Sequence, residues 1–443
     1  MQNKLNKLSW AVAIAAATFA GQAHAGGYQI NEQSVSGQGY GHAGRSSNVN
    51  DATIVFGNPA GMSFLDRAQV TAGGTYLNVN SRIRNTQSSA SIDANAVDPN
   101  VPPGMAQVPL GPIGGTNEGD MVPGTLIPFA FYAQPLNERL AFGFGVYAPF
   151  GSKTEYEDTF EGRNFGNYTE LRVISAQPTL SYRINDQWSV GAGITYNRVD
   201  GELATKIPGV LLGRPGGPDG EVRVEGDDEA LGYNLGVIFQ PVPETTLGLT
   251  YRSKVSYTLE GRSSASGGAE ALIPNQDASL ELTTPETVNF SITQQMSDRL
   301  KLMFGASWAR WSRFEEIRID GSVSPGPITQ ETQNYSNAWA FALGGEYQLM
   351  PQLALRAGVT IDRTPTSDEF RSVRIPSDDR RVFSLGAGWS PTEDMTLDFA
   401  YSYLTERSTR VDRDRNLGPT ELHYSADYKN EAHGFGAQLT YRF

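Results

Sequence analysis

Cysteine is missing from all 443 residues, and only 4 histidines occur. The first absence excludes disulfide scaffolds, cysteine-ligated zinc or iron–sulfur centres and thiol nucleophiles. The histidines past the first segment, His42, His423 and His433, have no zinc-ligand spacing, so no metal and no cofactor are expected. Positive charge is also short, with 35 Lys and Arg against 48 Asp and Glu for a formal charge of −13, which leaves no electrostatic footprint for nucleic acid. No G-x-S-x-G elbow is present. Gly39-Tyr40-Gly41-His42-Ala43-Gly44 matches the dinucleotide fingerprint in letters but lacks the strand and helix that give it meaning. An enzyme is therefore not expected. Long apolar runs are absent except between Leu8 and Ala20, too few for a helical membrane span. With a mean hydropathy of −0.37, the average alone reads as a water-soluble chain.

The one apolar run follows Lys4 and Lys7 and ends in Ala23-His24-Ala25, the layout of a secretory signal peptide with cleavage expected after Ala25. The rest is written in period two. Trp188, Val190, Ala192, Ile194 and Tyr196 alternate with Ser189, Gly191, Gly193, Thr195 and Asn197. Similar runs start near Leu231, Leu300, Leu353, Met395 and Phe435, each about the 9 to 11 residues that cross a bilayer as a tilted strand. Short turns, such as Asn185-Asp186-Gln187 and Ser297-Asp298-Arg299, recur about every 50 residues and take turns with long polar loops such as Gly201 to Glu229. Six short turns pair twelve strands, and one strand at each end makes fourteen.

An even count with short turns on one side and long loops on the other fits a bacterial outer-membrane barrel. A secreted β-sandwich also alternates, but it has no need for aromatics at strand ends such as Trp188, Trp308, Trp389, Tyr441 and Phe443. The expected fold is all-β: a fourteen-stranded antiparallel transmembrane β-barrel over residues 68–443. It follows a signal peptide over 1–25 and a non-alternating segment, 26–67, that reads as a small N-terminal hatch plugging the lumen.

Several stretches carry a resemblance: Gly26-Gly27-Tyr28-Gln29-Ile30-Asn31-Glu32, Ser34 to Gly44, Asn58-Pro59-Ala60, Val146 to Tyr156 with Asp158-Thr159-Phe160, and the terminal Phe443. They resemble the FadL family of outer-membrane transporters for long-chain fatty acids and other hydrophobic compounds. The resemblance implies passive uptake without nucleotide or proton coupling, entry by an outer hydrophobic groove, and sideways exit where the third strand is kinked. It also implies Gly26, Gly27 and Tyr28, with Asn58, Pro59 and Ala60, as hatch and gate residues.

The residues can be read for the same features. The third strand, from about Leu140 to Ser152, holds Pro149, Phe150 and Gly151; Pro149 cannot donate to a ladder, so it either breaks the strand or ends it. Sideways exit is physically sensible, because a long acyl tail entering water at about 0.8 kcal/mol per methylene faces a barrier of order 10 kcal/mol. Parity points Arg252 and Lys254 on the seventh strand and Arg356 on the eleventh inward. There they either meet a substrate carboxylate or pair with acids such as Asp362 and Asp398. Arg198, near the outer end of the fifth strand, lies where the resemblance implies a basic contact. Ile207 to Leu212 and Ala271 to Pro274 are apolar loop patches, either a landing groove or loops packing on each other. The expected partners are a long-chain fatty acid or other hydrophobic small molecule and the lipid and lipopolysaccharide of the outer membrane, the chain acting as a monomer. The alternatives are the same fold importing aromatic hydrocarbons or alkanes, a general porin, which would lack the plug, and an outer-membrane lipid-modifying enzyme.

Overall fold

In the computed structural model, residues 27–97, 100, 107–117, 121–214 and 216–443 are described; the expected signal peptide over 1–25 and Gly26 lie outside them. Fourteen antiparallel strands close into a barrel. In chain order they are β1 (Gln69–Asp93), β2 (Thr125–Pro135), β3 (Leu140–Glu155), β4 (Tyr168–Arg183), β5 (Trp188–Ile207), β6 (Gly220–Val242) and β7 (Thr245–Arg252). There follow β8 (Thr287–Gln295), β9 (Leu300–Ala309), β10 (Ala338–Met350), β11 (Leu353–Asp362), β12 (Arg380–Trp389), β13 (Met395–Glu406) and β14 (Thr420–Arg442). The ring closes where β14 pairs with β1, from Gln69↔Arg442 upward. Val255–Ser266 and Gln276–Thr284 extend β7 and β8 outward, and the hairpin Glu316–Gly321 with Thr329–Thr332 stands on the outer rim.

The short turns form where a side chain replaces a backbone acceptor. Asn137 Oδ1 accepts from the amides of Arg139 and Leu140, both at 2.9 Å, and Asn185 Oδ1 does the same for Gln187 and Trp188 at 2.9 and 2.8 Å. Alternation then sends the apolar parity to the outside. Leu343 is 64% exposed and Leu385 61%, values that suit hydrocarbon and would be costly in water. Negative mean hydropathy thus coexists with a membrane wall because only one face of each strand is greasy.

Residues 27–64 lie inside the barrel, as two short helices, Val35–Gly39 and Ile54–Gly57, and a 3₁₀ turn, Pro59–Phe64. Inward glycines make room for this hatch. A Cβ at Gly305 would sit 2.5 Å from the Ala43 carbonyl oxygen, and Gly191, Gly236, Gly248 and Gly358 meet Pro59, Asn58, Ser46 and Tyr40 as closely. Polar bonds then fasten the hatch around the circle. Asp51 Oδ2 accepts from Ser36 at 2.7 Å and from Gln438 at 3.0 Å, and Ser46 Oγ donates to the Gly248 carbonyl at 3.0 Å.

Candidate functional site

Above the hatch the lumen turns apolar. Tyr28, Phe150, Val173, Val199, Val255, Tyr257, Leu259, Leu282, Trp311, Phe314 and Ile375 form one buried cluster. It holds a cavity of about 80 Å³ walled by Leu171, Leu203, Val224, Leu280, Ile317 and Ile319 among others. Glu170, paired with Lys153 at 3.4 Å, Glu202, paired with Arg223, and Glu225 also border this cavity, and among the described residues no Lys or Arg does. Buried polar atoms without partners face the cluster: the Tyr28 and Tyr335 hydroxyls, Ser152 Oγ and Trp311 Nε1. The segment 363–379 closes the chamber from outside. It reaches across the mouth so that Arg374 binds the Tyr168 carbonyl at 2.9 Å, Thr205 Oγ1 at 2.8 Å and Glu331 at 3.1 Å.

One side of the chamber meets a break in the wall. β3 pairs with β2 only as far as Val146, and its register against β4 jumps between Tyr147 and Phe150, so Ala148 and Pro149 face one residue, Ile174. That is a bulge at a proline, where the ladder is already a donor short. The freed edge is taken by the hatch. The Ile30 amide donates to the Pro149 carbonyl at 2.9 Å, the Gly151 amide to the Tyr28 carbonyl at 2.8 Å, and Gln33 Nε2 to the Ala148 carbonyl at 2.5 Å. Tyr28 is pinned edge-on between Trp311, Phe314 and Phe150, with ring centres 4.6, 5.5 and 6.0 Å away. Gly27 has φ +67°, and a Cβ there would strike the Trp311 ring at 2.6 Å, so no other residue fits without moving Trp311.

Tyr28 thus meets Phe150 and Gly151, Ile30 meets Pro149 and Gly27 lies against Trp311, whereas Asn58, Pro59 and Ala60 lie elsewhere. Asn58 caps the 3₁₀ turn through the Ala60 amide at 3.0 Å and ties it to the Ser46 and Val237 carbonyls at 2.7 and 3.0 Å, an anchor against β5 and β6.

The basic candidates separate. Arg198 is corrected: it shares the outward parity of Ile194 and Tyr196 and holds Asp227, Glu229 and Asp200 at 3.1, 3.2 and 3.4 Å on the outer surface. Lys254 is also corrected. β7 and β8 break at one level, residues 253–254 against 285–286, so parity resets there and Lys254 is exposed. Arg356 points inward but is spent, bound to Glu346 at 2.7 Å and Asp398 at 2.5 Å. Of the four, Arg252 alone points inward with neutral partners, the Tyr147 hydroxyl at 2.6 Å and Gln177 Oε1 at 3.2 Å, beside Phe56 of the hatch. Beside it lies Arg45 of the hatch, which parity could not have found. Burial pushes its guanidinium down to about 10, so it is still a cation at neutral pH. The loop patches pack together: Leu211, Leu212 and Ile273 join one cluster with Ile207, Ala269 and Ile319.

Comparison with known proteins fits this geometry. Outer membrane protein P1 of Haemophilus influenzae is 30% identical over 455 residues, covering 96% of both chains. A long-chain fatty acid transport protein of Escherichia coli O6:H1 is 25% identical over 463 residues, covering 98% of both. The crystal structure of a Pseudomonas aeruginosa FadL homologue superposes with a TM-score of 0.82 at 25% identity, covering 94% of this chain and 99% of that one. The family model described as outer membrane protein transport protein (OMPP1/FadL/TodX) matches residues 16–443. The chain belongs to this family of outer-membrane β-barrels, which transport hydrophobic compounds.

Proposed function

We propose that the protein takes up long-chain fatty acids passively and releases them sideways at the break in β3. The observation that carries this reading is the seal of that break: it is made by the hatch segment Tyr28–Ile30 and not by a neighbouring wall strand. A separate segment can leave without opening the barrel. The apolar chamber ends at this seal, with Tyr28 belonging to both. A tail moving from chamber to bilayer therefore avoids the barrier of order 10 kcal/mol that water would impose. Gly26, Gly27 and Tyr28 act as the gate, Asn58, Pro59 and Ala60 as the anchor that keeps the rest of the hatch seated, and Arg252 as the cation nearest the ligand's carboxylate.

Deleting Gly26 to Tyr28 should change both affinity and uptake; a variant that matches the intact protein in both would refute the gate. A second reading, uptake of neutral aromatic hydrocarbons or alkanes, is favoured by the cavity lining, which among the described residues holds no Lys or Arg. Binding of labelled oleate against toluene to the purified protein separates the two.

A further inference from the structure

The buried tyrosines of the barrel divide by place. Outside the chamber each hydroxyl is partnered: Tyr156 donates to the Val373 carbonyl at 2.7 Å, Tyr424 and Tyr428 bond each other at 2.9 Å, Tyr147 accepts from Arg252 at 2.6 Å and Tyr40 from Asn48 at 3.2 Å. Around the chamber the pattern fails. The Tyr28 and Tyr335 hydroxyls, Ser152 Oγ and Trp311 Nε1 have no hydrogen-bond partner among the described residues. Tyr28 and Ser152 are each 1% exposed, so water outside the barrel does not reach them. A buried polar group left in that state is costly unless a partner arrives.

Two of the four reach one space from the two sides of the seal. Tyr28 belongs to the hatch, and Ser152 to β3, one residue past the Gly151 amide that bonds the Tyr28 carbonyl. Both line the apolar cavity of about 80 Å³, as does Leu171, which faces Ser152 across the ladder. The rest of the lining decides what the missing partner is. Among the described residues it holds Glu170, Glu202 and Glu225 but no Lys or Arg, and the nearby Lys153 and Arg223 are already paired with Glu170 and Glu202. A carboxylate in this cavity would be buried without a counter-charge. A plain hydrocarbon would fill the space and leave both hydroxyls unpaired. A neutral oxygen on an apolar chain meets both demands, because each hydroxyl has a proton to donate to it.

We infer that the chamber recognises an acyl chain bearing a neutral oxygen, a hydroxy or oxo fatty acid, and that the Tyr28 hydroxyl and Ser152 Oγ donate to that oxygen. The inference rests on the fatty acid reading and adds to it a second polar contact, made along the chain and away from the carboxylate. One donor stands on the hatch and the other on the wall, so the chain's oxygen is read at the seam through which the ligand leaves.

One experiment separates the failure of the inference from that of the fatty acid reading. Stearate and three keto-stearates, with the ketone near the head, at mid-chain and near the tail, are titrated into the full-length protein and into Tyr28→Phe and Ser152→Ala, each of which removes one oxygen. The quantity compared is the ratio of keto acid to stearate affinity within each protein, which cancels any effect of a substitution on chain binding in general. At least one keto acid should bind the parent about tenfold more tightly than stearate, the scale of one or two neutral hydrogen bonds. That ratio should fall about threefold or more in each variant. In the ligand-free protein both variants should keep or raise the thermal midpoint, since the group removed has no partner to lose. A parental ratio near one for all three keto acids, or a ratio that neither substitution moves, would overturn the inference. A lowered midpoint in both variants would do the same, because water or protein would then already hold the hydroxyls. A parent protein that binds neither stearate nor any keto acid would overturn the fatty acid reading itself.

Discussion

Two proline breaks in the wall, at Pro149 and at Pro285, are closed differently. At Pro149 the loose edge of β3 is held by the hatch segment Tyr28–Ile30 through backbone bonds to Pro149 and Gly151. At Ser253–Lys254, facing Pro285–Glu286, the closure is made by β6 and by the turn that follows β9. The Ser253 amide donates to the Tyr233 carbonyl at 2.9 Å, and Ser253 Oγ accepts from the Tyr233 amide at 2.9 Å. Glu286 accepts from Arg313 at 2.5 and 2.8 Å and from Arg310 at 3.3 Å. On the proposed reading, a proline break becomes a gate only where its partner is a separate segment; where β6 and the turn after β9 lace it, it merely resets the side-chain faces.

The sharpest way to erase the difference is to repair the first break. Removing Ala148 and changing Pro149→Val restores one-to-one pairing while keeping Phe150, Ser152 and Thr154 inward, because the bulge already shifts them by one residue. With β3 able to rejoin β2, about three new backbone bonds at roughly 1 kcal/mol each lower the open population by about a hundredfold. Uptake should collapse while thermal stability holds or rises. Uptake at the parental rate would show that the ligand does not leave at β3.

Loosening the seal tests the opposite sign. Gly27→Val forces a branched residue into left-handed backbone against Trp311, a strain of about 1–2 kcal/mol before any clash. Hydrogen exchange of the Ile30 and Gly151 amides should quicken about tenfold or more, while those of Ser253 and Arg310 stay put. In the parent the first pair should already exchange faster than the second. Glu286→Gln makes the reverse test and a smaller change. The arginines are partly exposed, with side chains 48% and 30% accessible, so the loss should be about 1 kcal/mol. It should fall on Ser253 and Arg310 exchange and leave uptake alone.

Much of this barrel was legible because period two is a local signal. Turn residues such as Asn137 and Asn185 announced their hairpins, and the strand count followed. The same rule carried too far misplaced Lys254, since parity survives only while pairing is regular and nothing in Arg252-Ser253-Lys254-Val255 marks the reset. Arg198 is a different case: it shares the outward parity of Ile194 and Tyr196, which alone points it away from the lumen. Trp308 and Trp311, three apart, cannot share a face of one strand, which was a usable hint that Trp311 leaves the wall for the chamber. Arg45, Phe56 and the segment 363–379 had no periodic signal. Their positions depend on contacts across the lumen, such as Arg374 to Thr205, that only closure of the barrel creates.

The smallest expected effect belongs to Pro149→Ala, and it decides what makes the first break. Alanine returns the missing amide donor, yet two residues still face Ile174, so the register cannot heal. The break should persist, with stability changed by less than about 1 kcal/mol and exchange at Ile30 and Gly151 close to the parent's. If Pro149→Ala alone abolished uptake, the lost donor and not the extra residue would hold the edge free. The second break, which also has a proline, would then be as easily opened as the first, and the contrast between them would rest only on the bonds of Ser253 and Glu286.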